Sequence, residues 1–409
     1  MIRTLPAMAA AAAIFAAFPS EAAAGQAAAG DEVQIGPILE ARARYEHAEQ
    51  GALDADAVTL RLRAGAEARF GAFSLLGEAE ATVAPVARFN AFPFVLAGET
   101  QRRPQHAVVA DPENIELNRL QLQYRSDPAT VTLGRQRINI DDQRWVGSVG
   151  WRQNEQTFDA LRGEARLGAV QADLTYAIAQ RTIFGSDAGP RTTFDGDFVF
   201  AGVSARHGPV QGRLFAYLLD YDEPFFLANS SQTYGGWVSA ALPLGRGTIV
   251  NLRGSYARQA DHGRNPFDYA ADYGSFEAGT ALAGFNLAAG WEQLGSDNGR
   301  AVQTPMATLH KFNGWADLFL TTPPQGLEDL YLMAGRRFDS VGPLRGLTAN
   351  VAYHRFGSAT GDLRYGHEWD ASLGFQAGPF AVLLKFADYQ ATRFGADTTK
   401  FWLQLEWSL

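Results

Sequence analysis

Arginine returns at every second position in several short stretches of this chain, with glutamate, glutamine or threonine in the same phase. Glu40, Arg42, Arg44 and Glu46 form one such row, and Thr59, Arg61, Arg63, Glu67 and Arg69 another. Arg119, Gln121, Gln123 and Arg125 make a third. Arg162, Glu164 and Arg166 follow, then Asn251, Arg253 and Ser255, with His354 and Lys385 adding titratable character. A guanidinium presents a planar fork of donors that matches a carboxylate in two parallel hydrogen bonds. A row of them can pass an anionic solute from one fork to the next. The same row can instead tie itself to Glu40, Glu67, Glu78, Glu80 and Glu164 and stiffen a wall. Both readings stand on the spacing alone.

Other chemistries find less support. The seven histidines are scattered, and none sits in a G-x-S-x-G or H-E-x-x-H context, so no nucleophile–base pair is legible and no enzyme is expected. There is no cysteine, which removes disulfides and thiolate metal ligands together; no metal and no cofactor are expected. Asp297-Asn298-Gly299 and Asp195-Gly196-Asp197 read as turns rather than calcium loops. A net charge of −9 argues against nucleic acid as a partner.

The elements that must carry these rows follow from what lies between the arginines. Val58, Leu60, Leu62, Ala64 and Ala66 alternate with the second row, and Phe401, Leu403, Leu405, Trp407 and Leu409 alternate with Trp402, Gln404, Glu406 and Ser408. Side chains on a strand point alternately to opposite faces, so each stretch has one oily and one wet face. Eighteen such segments can be drawn: 35–47, 57–70, 73–84, 115–125, 130–138, 157–167, 170–181, 198–207, 210–221, 233–242, 248–259, 273–282, 285–294, 327–338, 347–356, 368–376, 380–390 and 400–409. The alternation is poor in the eighth, ninth and fourteenth. Joins alternate between tight ones rich in glycine and proline, such as Gly71-Ala72 and Gly208-Pro209, and long ones at 85–114, 139–156, 182–197, 222–232, 260–272 and 295–326.

The hydrophobic fraction is an ordinary 46%, and past the N-terminus no stretch is long and apolar enough for a spanning helix. A lipid-spanning β-barrel meets the same need by pairing every backbone group, with short periplasmic turns and longer outer loops. Charge on its lipid face costs about 2–4 kcal/mol at mid-membrane, so the arginine rows are expected to face the lumen. Tyr45, Phe70, Phe73, Tyr124, Phe285, Trp291, Trp369, Phe375 and Trp407 fall on the oily parity near strand ends, where interfacial girdles form. Arg3, the apolar run 8–18 and Ala22-Ala23-Ala24 read as a cleaved secretory signal over 1–24. A short periplasmic segment, 25–34, and a barrel over 35–409 in the outer membrane of a Gram-negative bacterium are then expected.

One stretch is more specific. Residues 133–162 read LGRQRINIDDQRWVGSVGWRQNEQTFDALR. The elements Gly134-Arg135-Gln136, Asp142-Gln143-Arg144, Gly147, Trp151-Arg152-Gln153 and Phe158-Asp159 resemble the signature of the alginate-export family of outer-membrane barrels. A second stretch, from His310 to Asp317 and on to Gly326-Leu327-Glu328-Asp329, is also similar to that family. The resemblance implies an eighteen-stranded monomeric barrel with a narrow electropositive pore that exports a polyuronate. It makes Arg135, Arg137, Arg144 and Arg152 candidate constriction residues, with Asp141, Asp142 and Asp159 as acidic counterparts. With Arg61, Arg63, Arg119, Arg162 and Arg253 they form the expected pore lining. Expected partners are outer-membrane lipid, an anionic oligo- or polysaccharide or other small anions, and periplasmic export proteins. An uptake porin for small organic acids or sugars shares every one of these features. The long connections read as too short for an extensive lid or plug.

Overall fold

The structure, a computed structural model, describes residues 32–96, 98–245 and 248–409. The expected signal at 1–24 and most of the segment 25–34 lie outside the described residues.

Strong β-formers at period two give long, twisted strands, and the turn residues between them set their register. The barrel strands are β1 Gln34–Gln50, β2 Leu53–Phe70, β3 Phe73–Arg88, β4 Asn114–Arg125, β5 Ala129–Gln136 and β6 Thr157–Leu167. They continue as β7 Val170–Arg181, β8 Thr193–His207, β9 Val210–Tyr221, β10 Ser231–Gly245, β11 Thr248–Asp261 and β12 Ala270–Leu282. The last six are β13 Phe285–Leu294, β14 Leu327–Val341, β15 Leu344–Gly357, β16 Arg364–Ala377, β17 Phe380–Ala391 and β18 Thr398–Ser408. All eighteen expected segments are strands. Each pairs antiparallel with its chain neighbours, and β1 closes on β18 from Glu40 opposite Ser408 to Gln50 opposite Thr398. Closure leaves no open sheet edge in lipid. No helix among the described residues is long and apolar enough to cross a membrane.

One end of the barrel carries turns of two or three residues, for example Gly71-Ala72 and Gly208-Pro209, where glycines at φ +57° and +56° take a conformation that a side chain would strain. The other end carries the long connections. The first join at that end, 51–52, is itself tight, because β1 and β2 pair to their tips. Leu60, Leu62, Leu122, Leu133, Leu161, Leu174, Val203, Leu214 and Leu332 are exposed on the outer face. Phe70, Phe73 and Tyr124 cluster at the short-turn rim, with ring centres 5.7 and 5.1 Å apart, as a girdle does.

The interior departs from a plain water-filled tube. Ile138, Val146, Trp151, Met306, Trp315 and Phe319 come from the connections 137–156 and 295–326. They pack inside the barrel against Phe158, Phe198, Phe200, Phe215, Tyr217, Tyr221 and Trp402 of the wall. The expectation that the connections are too short to fill the lumen is therefore corrected. Two of them fold inward because the wall offers them an apolar bed, and burying that surface drives the docking.

Candidate functional site

The aromatic bed explains the poor alternation of β8 and β9. Their inward positions carry Phe194, Phe198, Phe200, Phe215, Tyr217, Leu219 and Tyr221, all buried, while Val203 and Leu214 face lipid. A strand that is oily on both faces shows no period of two.

The inward connections brace each other before they meet the wall. Val146 bridges Met306 in parallel, Gly147 N donates to Met306 O at 2.9 Å, and Thr308 Oγ1 donates to Gln143 Oε1 at 2.7 Å. Buried ion pairs then tie them to the wall. Arg144 Nε donates to Glu292 Oε1 of β13 at 2.8 Å, and Asn313 Nδ2 donates to Glu292 Oε2 at 2.7 Å. Arg152 Nη2 donates to Asp317 Oδ2 at 2.6 Å, which joins one inward connection to the other. Glu155 takes Arg63 of β2 at 2.9 Å and also binds Arg137. Burial works against the ionised form of Glu155, yet Arg137, Arg63 and Arg61 hold it well below the usual carboxylate range.

A lysine is caged at the same junction. Lys385 Nζ of β17 lies 3.6 Å from the ring centre of Trp315 and 4.1 Å from that of Trp151, with Trp402 at 5.5 Å. It donates to His310 Nε2 at 2.7 Å, and His310 Nδ1 donates to Asp317 Oδ1 at 2.8 Å. Burial pushes the His310 imidazole well below 6.5, against the pull of Asp317, which suits a neutral ring that accepts at one nitrogen and donates at the other.

The expected pore-lining residues do not form one ring. Arg61, Arg63, Arg119 and Arg137 share a network on the β1–β5 wall. Arg61 meets Glu406 at 3.2 Å and Glu40 at 3.5 Å, Arg119 meets Glu78 at 2.6 Å, and Arg137 meets Glu78 at 3.1 Å. Arg61 and Arg63 are buried, whereas Arg119 and Arg137 keep a partly open edge. Arg144 and Arg152 are buried in the loop–wall anchors just described. Arg253 stacks over Trp237 at 4.1 Å, lies 3.4 Å from Asp142 and stays about one-third exposed at 31%. Arg162 pairs with Glu164 at 2.9 Å near the short-turn end. There a polar cavity of about 530 Å³ opens beneath the inward connection, lined by Asn139, Asp141, Arg162, Arg166, Gln171, Asp173 and Arg213.

Arg135 and Asp159 are placed elsewhere. Arg135 stands opposite Leu120 on one side and Asp159 on the other, and residues in register share a face. Leu120, Leu133 and Leu161 are exposed outward, so Arg135 and Asp159 lie on the outer parity near the long-loop rim, joined at 2.8 and 3.0 Å. They are corrected from the lumen to the outside. Arg137 lies past the end of β5, where the chain turns inward, and so reaches Glu78.

Several residues with a part in the site were not singled out from the sequence. Arg213 bridges Asp141 at 3.2 Å and Asp173 at 2.7 Å, and Glu292 and Glu155 anchor the loops, as does Asp317, which the resemblance had marked only as the end of its second stretch. The signal for Arg213 was present, since it shares the inward phase of Phe215. The acids inside the connections had no periodicity to expose them.

Residues 39–223 match the family described as alginate export, a range that contains the first signature stretch and stops short of the second. No curated protein matches the chain in sequence. Among solved structures the chain resembles the outer membrane protein OpdK from Pseudomonas aeruginosa, at 15% identity and a TM-score of 0.70, over 92% of this chain and 98% of that one. OpdK solved with vanillate is similar at 16% identity and a TM-score of 0.69, again over 92% and 98%. OccAB4 from Acinetobacter baumannii is similar at 13% identity and a TM-score of 0.71, with the same coverage. At these identities the likeness speaks for the fold.

Proposed function

From a Gram-negative outer-membrane barrel of porin fold, matched over residues 39–223 to the alginate-export family, we propose a passive, narrow channel for carboxylate-bearing solutes. The solute we favour is an anionic, alginate-like polysaccharide on its way out, moved by its own gradient, through a single barrel that does no chemistry on it. The observation that carries the reading is the set of inward guanidiniums with an open edge: Arg119, Arg137, Arg162 and Arg253. Each is paired with a carboxylate, which fixes its position without using all of its donors. A uronate can then exchange for, or bridge to, the resident acid at each step, so binding stays weak enough to release. Arg253 adds a stacking surface with Trp237.

A second reading is uptake of small organic acids. The inward connections favour it, because they narrow the lumen. The structural neighbour solved with vanillate also favours it, since vanillate is an aromatic carboxylate.

Single-channel current of the refolded barrel in a planar bilayer under a salt gradient tests both. Anion-selective current blocked by an oligouronate supports the favoured reading. Anion-selective current blocked by vanillate but not by oligouronate moves the assignment to small acids. Unselective current that neither solute blocks would sink both.

A further inference from the structure

The arginines at the heart of the lumen are closed against carboxylates, but on the long-loop face Arg191 is not. It ends the short 3-10 turn Ser186–Arg191 in the connection between β7 and β8. Its guanidinium carbon lies 4.7 Å from the ring centre of Phe94 and 4.9 Å from that of Phe225, with Phe226 at 5.9 Å. These rings come from two other connections, 89–113 and 222–230. Among the described residues no carboxylate pairs with Arg191, and its side chain donates no hydrogen bond to any of them. Burial lowers its pKa with no neighbouring charge to offset it.

The platform is fixed from below and open above. Phe226 stacks on Phe194 at 4.0 Å and packs edge-on against Tyr221, so it is rooted in the aromatic core of the lumen. Phe225 is 47% exposed. A second guanidinium, Arg300, which has no carboxylate partner among the described residues, lies over Phe267 at 5.2 Å and donates to Ala228 O and to Asn229 Oδ1 of the 222–230 connection, the latter at 3.2 Å.

Rings packed over a guanidinium cover its faces and leave its N–H edge available to donate. A planar edge of donors is complementary to a carboxylate, and an exposed phenyl ring is complementary to the C–H face of a sugar. We propose that Arg191, Phe94 and Phe225 form a binding site on the outer surface for a uronate unit of an acidic oligosaccharide, distinct from the lumen. The assignment deepens the favoured channel reading and rests on it for the choice of a sugar acid.

The test is calorimetric titration of a mannuronate tetramer into the detergent-purified full barrel, with a neutral glucose tetramer and inorganic phosphate as controls. Current recordings on the same proteins run alongside. The wild type should bind the uronate and neither control. Arg191→Gln and Phe225→Ala should each weaken binding by at least about tenfold, the loss of one charged hydrogen-bonding or stacking contact. Arg191→Lys should rescue it only in part, because it keeps the charge but not the fork. Ion selectivity of the open channel should be the same in all four proteins. Phe225 is exposed, so its removal leaves the core intact and keeps the test valid if an Arg191 variant fails to fold. Equal uronate affinity in wild type, Arg191→Gln and Phe225→Ala, or no affinity in the wild type, overturns the site. If the uronate still blocks current in that case, the channel reading survives alone. Uronate binding that depends on Arg191, without any block of current, leaves the site standing and removes the polymer-channel reading. Phosphate bound in preference to uronate overturns the sugar assignment and points to a lipid headgroup.

Discussion

The β1–β5 wall and the β8–β10 wall face the same lumen and are built on opposite principles. On the first, Arg42, Arg44, Arg61, Arg63, Glu78 and Glu80 stand inward in clean alternation with lipid-facing alanine and leucine. On the second, Phe198, Phe200, Phe215, Tyr217 and Trp237 stand inward and make both faces apolar. Inward parity therefore does not mean contact with water. The aromatic wall is a dry bed for two folded connections, and the ion pairs that clamp them run to Arg63 on the charged wall and also to Glu292 of β13 and Lys400 of β18. What stays wet is a strip that takes in the open edges of Arg119 and Arg137 on the first wall and of Arg253 on β11, together with the cavity by Arg162 and Arg213.

The largest effect is expected at the clamp. Asp317 is buried against His310, Arg152 and Lys400, so Asp317→Ala strands buried cations. It should cost about 3–5 kcal/mol, measured by denaturant unfolding in detergent. Conductance should rise and become noisier as the inward connections loosen. On the dry side, Met306 is fully buried where the two connections meet, and Met306→Ala should cost about 2–5 kcal/mol through the cavity it leaves. Its effect on ion selectivity should be small, because no charge is removed. Equal selectivity changes in the two variants would show that the walls are not divided in this way.

Smaller effects sharpen the boundary of the wet strip. Arg137→Ala leaves Glu78 and Glu155 short of a partner and should cost about 1–3 kcal/mol. The anion-to-cation permeability ratio, read from the reversal potential in a salt gradient, should fall as well. Arg162→Ala and Arg135→Ala form a matched pair. Each removes a partly exposed ion pair and should change stability by no more than about 1 kcal/mol. Only Arg162→Ala should shift the reversal potential, since Arg135 lies on the outer parity. A shift with Arg135→Ala would return that residue to the lumen.

Much of this was legible in the chain. The period of two along Phe401–Leu409, and the turn residues at Gly71, Gly168, Gly208 and Gly378, are local properties that place strands and joins without any knowledge of the rest. The inward phase of Arg42, Arg61 and Arg63 follows from the cost of charge in lipid. The candidate site was legible only in its residue types. Arg135 and Arg137 are two positions apart and would share a face on one unbroken strand, but β5 ends between them at Gln136. Arg144 looked like a pore residue, yet its partner Glu292 lies 148 residues away, a separation that no spacing rule spans.

By itself the sequence determined the strand count, the lipid-facing parity, the girdle aromatics and the wealth of inward arginine. Each is set by short-range geometry and by the difference between lipid and water as solvents. The tertiary structure alone decided which arginines are occupied and which are open. That depends on two connections folding onto an aromatic bed assembled from distant strands, and on carboxylates that closure of the barrel brings within about 3 Å of their partners, the reach of a charge-assisted hydrogen bond.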